Sequence, residues 1–360
     1  MSFFGGVKFW DELTSLFKGF TYRGVAPQIC SEPYEQSISR GLIAGATPFS
    51  KIGYLPSLSA GVDTSVWSYG TTQPSYLFPT SAMQMELLSS NNTDDIGTVI
   101  HNGTSTGGSL TTLINTAENF LTTTAAGDCV VLDKSGTNPE FGYITSVDSN
   151  IQITVSGGFS RGGSGSGRAY SIIDESATSG GHAVEVTALD GNYAEIREIV
   201  ILNGTTVVPT VGTSFYRINV FRVIAAGANK KPTGAITIRH ISDTPVYSYI
   251  SAGYTRARNG AYTVPAGKTL YINNYIGGYA TTGSPNKEFA RITSTMNIDP
   301  TTQFRSDNLF YPFTDIVIQN SMVTIEFKCP TKIPAKTDIR IIANATANGI
   351  VLCNYRGWIE

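Results

Sequence analysis

From Phe49 onward, apolar and polar residues alternate with a period of two over most of the chain. Val184 and Val186 alternate with Glu185 and Thr187, and Ile196, Glu198, Val200 and Leu202 oppose Glu195, Arg197, Ile199 and Ile201. A period of two places successive side chains on opposite faces of an extended backbone, so these runs predict strands. The same reasoning predicts strands over 215–224, 235–241, 269–276, 315–319, 322–329, 338–343 and 350–355. Between them stand Asp190-Gly191, Asn203-Gly204, Asn259-Gly260 and Asn348-Gly349, dipeptides that tolerate the positive φ of tight hairpin turns. Many short strands without crossover helices predict an all-β chain, an antiparallel β-sandwich or jelly roll.

The first residues follow a different period. Phe9, Leu13, Leu16, Phe17 and Phe20 recur every three or four positions, with Asp11 and Glu12 early and Lys18 late. That pattern predicts a short amphipathic helix whose charges suit its dipole, too short to be stable without a surface to lie on. Residues 21–48, with Pro27, Pro33, Gly41 and Gly45, read as an extended segment, so 1–48 forms an N-terminal helical and extended arm. Phe9, Trp10, Leu13, Leu16, Phe17, Phe20 and Tyr22 are its candidate partner-binding residues. Residues 49–97 and 171–360 share one idiom and are assigned to a single sandwich body. Residues 98–170, with strands over 128–132, 141–147 and 151–155 and a glycine loop over 162–167, read as a small β-domain inserted into a hairpin.

Composition narrows the function classes. Charged residues make up 14% of the 360, against roughly 25% in ordinary soluble domains. Ser, Thr and Asn carry the polarity instead, and such neutral groups cost less to bury against neighbours than ions do. A net charge of −2 supplies no field to draw in nucleic acid. Cys30, Cys129, Cys329 and Cys353 are too scattered for a disulfide scaffold or a zinc site, and Cys329 and Cys353 are expected as buried strand thiols. The apolar start is interrupted by Asp11 and Glu12, so neither a signal peptide nor a membrane segment is expected.

Four patterns could carry chemistry, and each has a plainer reading. Gly103-Thr104-Ser105-Thr106-Gly107 has nucleophile-elbow spacing, but Asn102-Gly103 reads as a hairpin turn, and His101, His182 and His240 lack a supporting motif. The loop 162–167 could cradle phosphate, but a strand, not a helix, is expected after it. Asp190, Asn192 and Glu195 imitate the start of a calcium loop and read as a capped turn. Asp94-Asp95 and Glu195 with Glu198 are the close acid pairs, without a convergent partner. No catalytic residue, cofactor or metal is therefore expected. Tyr247, Tyr249, Tyr254, Tyr262, Tyr271, Tyr275 and Tyr279 crowd one region, with Arg256, Arg258 and Arg291 nearby, which suits core, interface and sugar-stacking surfaces alike.

Several stretches resemble virion proteins of aquatic tailed bacteriophages. They are Val186-Thr187-Ala188-Leu189-Asp190-Gly191-Asn192-Tyr193, Val200-Ile201-Leu202-Asn203-Gly204-Thr205, Phe215-Tyr216-Arg217-Ile218-Asn219, Tyr262-Thr263-Val264-Pro265-Ala266-Gly267 and Ile333-Pro334-Ala335-Lys336-Thr337-Asp338. The resemblance covers roughly 49–93 and 177–360, and the arm and the insertion depart from it. It implies a structural, non-enzymatic component of a phage particle, assembled in the host cytoplasm and located in the virion. A capsid-associated role (decoration, vertex or head fibre) is expected, with a tail fibre or adaptor, a host-glycan-binding protein and a jelly-roll shell protein as alternatives. Expected partners are other capsid or tail proteins, two further copies of the chain in a homotrimer, and host surface glycans, with no nucleic acid or membrane.

Overall fold

The computed structural model describes residues 34–95, 99–134, 139–156, 159, 164–176, 179–242, 244–281, 288–297 and 310–360. The chain divides into two compact units, Met1–Pro48 with Glu360, and Phe49–Ile359. The first contributes one described helix, α1 (Tyr34–Ser39), and Tyr34 donates a 2.7 Å hydrogen bond to the Glu360 carboxylate. The predicted helix over Phe9–Phe20 and the candidate contacts Phe9, Trp10, Leu13, Leu16, Phe17, Phe20 and Tyr22 lie outside the described residues.

The second unit is all β, and the strands of its sheets pair antiparallel. Its residues make two sandwich cores where the alternation suggests one. The outer sandwich has one sheet ordered β1 (Thr47–Leu58), β22 (Gly349–Ile359), β17 (Leu270–Thr281) and β20 (Met322–Ile333). Its second sheet is ordered β16 (Tyr262–Thr263), β21 (Asp338–Ala345), β18 (Ala290–Asn297) and β19 (Tyr311–Ile318), with β2 (Thr64–Ser65) also on β21. Leu55, Ile272, Tyr275, Ile292, Ile341 and Tyr355 from both sheets meet in one core. Between β2 and β16 the chain leaves to build the inner sandwich. One of its sheets is β11 (Glu195–Ile201), β10 (Gly181–Leu189) and β13 (Arg217–Ala226). The other is β12 (Val208–Pro209), β3 (Met85–Ser89), β14 (Ile236–His240) and β15 (Val246–Ile250). Val184, Val186, Leu87, Phe221 and Ile238 close this second core.

Between β3 and β10 the chain leaves again. Strands β4 (Val99–Gly108), β5 (Thr112–Ile114), β6 (Cys129–Leu132), β7 (Glu140–Ser149), β8 (Gln152–Ser156) and β9 (Ser166–Ile173) close a barrel in the order β4-β5-β8-β7-β6-β9. Closure removes the free edges that a small sheet would expose. The fold is therefore nested, barrel within inner sandwich within outer sandwich. Each excursion leaves and returns at nearby strands, a geometry that tolerates insertion because loop-closure cost grows slowly with length.

The barrel covers one face of the inner sandwich instead of projecting freely. Cys129, Val131 and Ile173 of the barrel pack with Ala183, Ile199, Ile224 and Ala225 of the sheet β11-β10-β13. That contact explains why β10 is buried along almost its whole length, where a half-covered strand would alternate. Glu185 on the covered face pairs with both Arg197 and Arg222, and Phe141 of β7 lies 5.9 and 5.7 Å from the two guanidinium groups.

Two expected turns prove to be close approaches of backbone. Asn102-Gly103 lies inside the continuous strand β4, where a Cβ on Gly103 would come within 2.9 Å of the Tyr170 hydroxyl. Gly260 likewise packs against Val66 and Ile341 without a positive φ. In sequence such a glycine looks the same as one required by a turn.

Candidate interaction surface

The residues singled out for chemistry are absorbed into the scaffold. Ser105 is buried in mid-strand, its Oγ donating to the Ser164 carbonyl at 2.8 Å and accepting the Arg168 N–H at 3.1 Å. It therefore stands at no strand-to-helix elbow, and the loop that ends at Gly165 leads straight into strand β9. Asp190 caps its own turn, accepting the N–H groups of Asn192 and Ala194 at 2.8 and 2.9 Å. Asp94 is fully buried and accepts the backbone N–H groups of Gly181, Thr233 and Gly234, each at 2.7 Å, together with the Ser89 hydroxyl. One carboxylate thus ties the ends of β3, β10 and β14 together, and charge-assisted bonds of this kind are the stronger ones. Glu198 accepts Val211 and Gly212 N–H groups, and burial raises its pKa. His101 is held by Glu118 at 2.8 Å and Thr123 at 2.6 Å inside the barrel. No cluster of three metal-ligating side chains occurs among the described residues. Cys353 is buried as expected, whereas Cys329 on β20 is exposed because its strand lies at the sheet edge.

The tyrosines do not form one surface. Tyr275 and Tyr279 lie in the outer core, Tyr247 in the inner core, and the Tyr249 ring meets Tyr69 at 4.8 Å in a tilted pair. Burial alone raises the pKa of Tyr247.

Where the two sandwiches meet, the seam is polar. Arg217 on β13 is 1% exposed and grips Asp338 of β21 through two bonds of 2.8 and 2.9 Å. Its remaining amine donates to the carbonyls of Pro79 and Tyr216, and its plane stacks 4.0 Å from the Tyr216 ring. Asp338 also accepts the Thr263 hydroxyl at 2.6 Å. Two residues along β13, the Asn219 amide exchanges two bonds with the backbone of Thr263, as a paired strand would. Beside these contacts opens a crevice of about 290 Å³, walled by β1, β13 and residues 256–259. Lys51, Arg256 and Arg258 line it. Burial, and then the nearby Arg256, lower the Lys51 pKa to about 7.

A second surface lies on the outer sandwich. Strands β19 and β20 form the outer edges of the two sheets and follow one another through a short turn. On the outward face near that turn, Leu352 and Met322 flank Gly278 in register, and Ile350 pairs with Ala280. Met322 is 68% exposed, and Val317 and Tyr311 on β19 are 65% and 60% exposed. A glycine and an alanine between exposed aliphatic side chains make a flat apolar floor beside two strand edges that no other described strand pairs. The alternation predicted the strands but could not show which of them lie at an edge.

No protein-family model matches the chain, and no curated protein matches its sequence. No helix among the described residues is long and apolar enough to cross a membrane.

Proposed function

We propose that this chain is a structural protein of a bacteriophage particle, capsid-associated and held by protein–protein contacts. The observation that carries the reading is the apolar floor of Met322, Leu352, Ile350, Gly278 and Ala280 beside the exposed edges β19 and β20. Open edges and contiguous exposed aliphatics are a liability in isolation and an advantage in an assembly, where a neighbour covers both. The low charge of the whole chain reduces the desolvation cost of that covering. Closed threefold symmetry covers such edges without leading to open filaments, so the assembly unit proposed is a homotrimer. The apolar periodicity of Phe9, Leu13, Leu16, Phe17 and Phe20 supplies a second contact, with the particle. Short bodies nested within one another, instead of a repeated shaft, suit a capsid-associated place better than a full tail fibre.

The test is incorporation. Mass spectrometry of purified particles should find the chain in stoichiometric amounts. The pair Met322→Glu and Leu352→Lys should reduce that amount while leaving the melting temperature within a few degrees of the parent. Particles with full occupancy of the double variant would overturn the assigned surface, and absence of the parent chain from particles would overturn the function.

A further inference from the structure

Most arginines in the described chain are neutralised. Arg168, Arg197, Arg217, Arg222, Arg239 and Arg291 each contact a carboxylate. Lys51, Arg256 and Arg258 differ. They converge on the crevice between the sandwiches, and among the described residues no carboxylate stands within ion-pair distance of any of them. The Lys51 Nζ donates to the Asn219 carbonyl at 2.5 Å, and Arg258 stacks 4.0 Å from the Tyr254 ring, contacts that orient the cations without neutralising them. A recess between low-dielectric walls focuses the field of three like charges, so it attracts a compact anion. The remaining wall is neutral and polar. Ser248 accepts the Asn259 amide at 2.8 Å and keeps its own proton to donate. Asn259 is 2% exposed, and its Oδ1 has no hydrogen-bond donor. A volume near the lower end of small-molecule sites, about 300 Å³, admits one sugar-sized group.

We propose that the crevice between the two sandwiches binds a compact oxyanion carried on a single sugar-sized, hydroxylated group. Arg256 and Lys51 take the anion by charge-assisted hydrogen bonds, and the Asn259 side takes hydroxyls. The source is either a carboxylate sugar or a phosphorylated one. The site is independent of the virion reading, because it is measured on the purified chain without particles.

The experiment is calorimetric or NMR titration of the full chain with glucuronate, N-acetylneuraminate, glucose 6-phosphate, inorganic phosphate and glucose. At least one anionic sugar should bind in the millimolar range or better, with glucose weaker by about tenfold or more. Which one binds identifies the source. Arg256 is exposed, so Arg256→Ala should weaken binding by about tenfold while leaving the melting temperature unchanged. Lys51→Met should do the same and also remove a pH dependence. Arg256 acts on Lys51 from one side, Arg258 is held over the Tyr254 and Tyr54 rings on the same crevice, the Tyr262 ring of β16 lies 5.9 Å from the Lys51 Nζ, and β13 contributes the uncharged Asn219. Affinity in the parent should therefore fall as pH rises through about 7 and Lys51 loses its proton. The proposal is overturned if no anionic sugar binds, if glucose or inorganic phosphate binds as tightly as the anionic sugars, or if both variants retain parental affinity.

Discussion

Removing the Arg217 guanidinium isolates the contact that joins the two sandwiches. Arg217 and Asp338 are 1% and 2% exposed, so Arg217→Met leaves the Asp338 carboxylate buried with only the Thr263 hydroxyl against it. It also removes the guanidinium bonds to the Pro79 and Tyr216 carbonyls. Breaking one side of a buried ion pair costs about 3–5 kcal/mol, and methionine keeps most of the packing against Tyr216 and Phe78, so the loss is electrostatic and not a cavity. Asp338→Asn in the Arg217→Met background removes the stranded charge while keeping an acceptor for Thr263. That double variant should recover at least half of the loss, because a buried pair is worth little relative to neutral groups of similar shape. Urea unfolding read by tryptophan fluorescence gives each value as a midpoint shift multiplied by the slope. A single-variant loss under about 1 kcal/mol, or a double variant as unstable as the single, would refute this assignment of the seam.

The remaining predictions concern the barrel and its junction. Burial raises the Glu175 pKa to about 7 against the opposing Ala226 N–H and Lys230, so this group's contribution to stability is full below its unfolded value near 4.5 and lost as pH rises through about 7. Thermal melts should show a rise of up to about 3 kcal/mol on acidification from this group, and Glu175→Gln should flatten it. Lys51, whose pKa burial lowers to about 7, opposes the trend above that pH and His182, also lowered by burial, opposes it below about 6.5, so the parent is compared with Glu175→Gln at each pH, and a stability difference between the two that stays constant from pH 8 to 5 would contradict the Glu175 assignment. Replacing residues 98–174 by a Gly-Ser linker should expose Ala183, Ile199, Ile224 and Ala225 and cost roughly 1.5–3 kcal/mol for each large side chain uncovered. Melting temperature and solubility check this, and an unchanged melt would show that the barrel is a free appendage. Gly103→Ala should cost about 1–3 kcal/mol by crowding Tyr170 and Asn115, and less in a Tyr170→Phe background, as paired denaturation curves would show.

Strand existence was legible because the period-two alternation is local. Met322–Ile333 and Gly349–Ile359 extend the predicted runs at their ends, and Leu270–Thr281 starts one residue after its predicted run and continues beyond it. The division into two sandwiches was not legible. Val184 and Ile341 carry the same signal, and only long-range pairing decides which core each enters. Continuous burial of β10 hid its alternation once the barrel covered the second face. The site was the least legible part. Lys51 and Arg256 stand about two hundred positions apart and meet only because the inner sandwich returns beside β1. Among the residues first considered for chemistry, Asp94 and Glu198 serve backbone amides instead, a role that depends on burial and has no sequence signature. The N-terminal stripe from Phe9 to Tyr22 lies outside the described residues.

The proposal that this chain is a capsid-associated structural protein stands or falls on a cryo-electron microscopy map of phage particles purified from a lysate in which the chain is produced. The expected density is fitted by two sandwiches and a barrel, in threes, with the β19 and β20 edges and the Met322–Leu352 floor covered by neighbouring subunits. A map whose densities are all assigned to other proteins, from particles in which mass spectrometry does not find the chain, would contradict it.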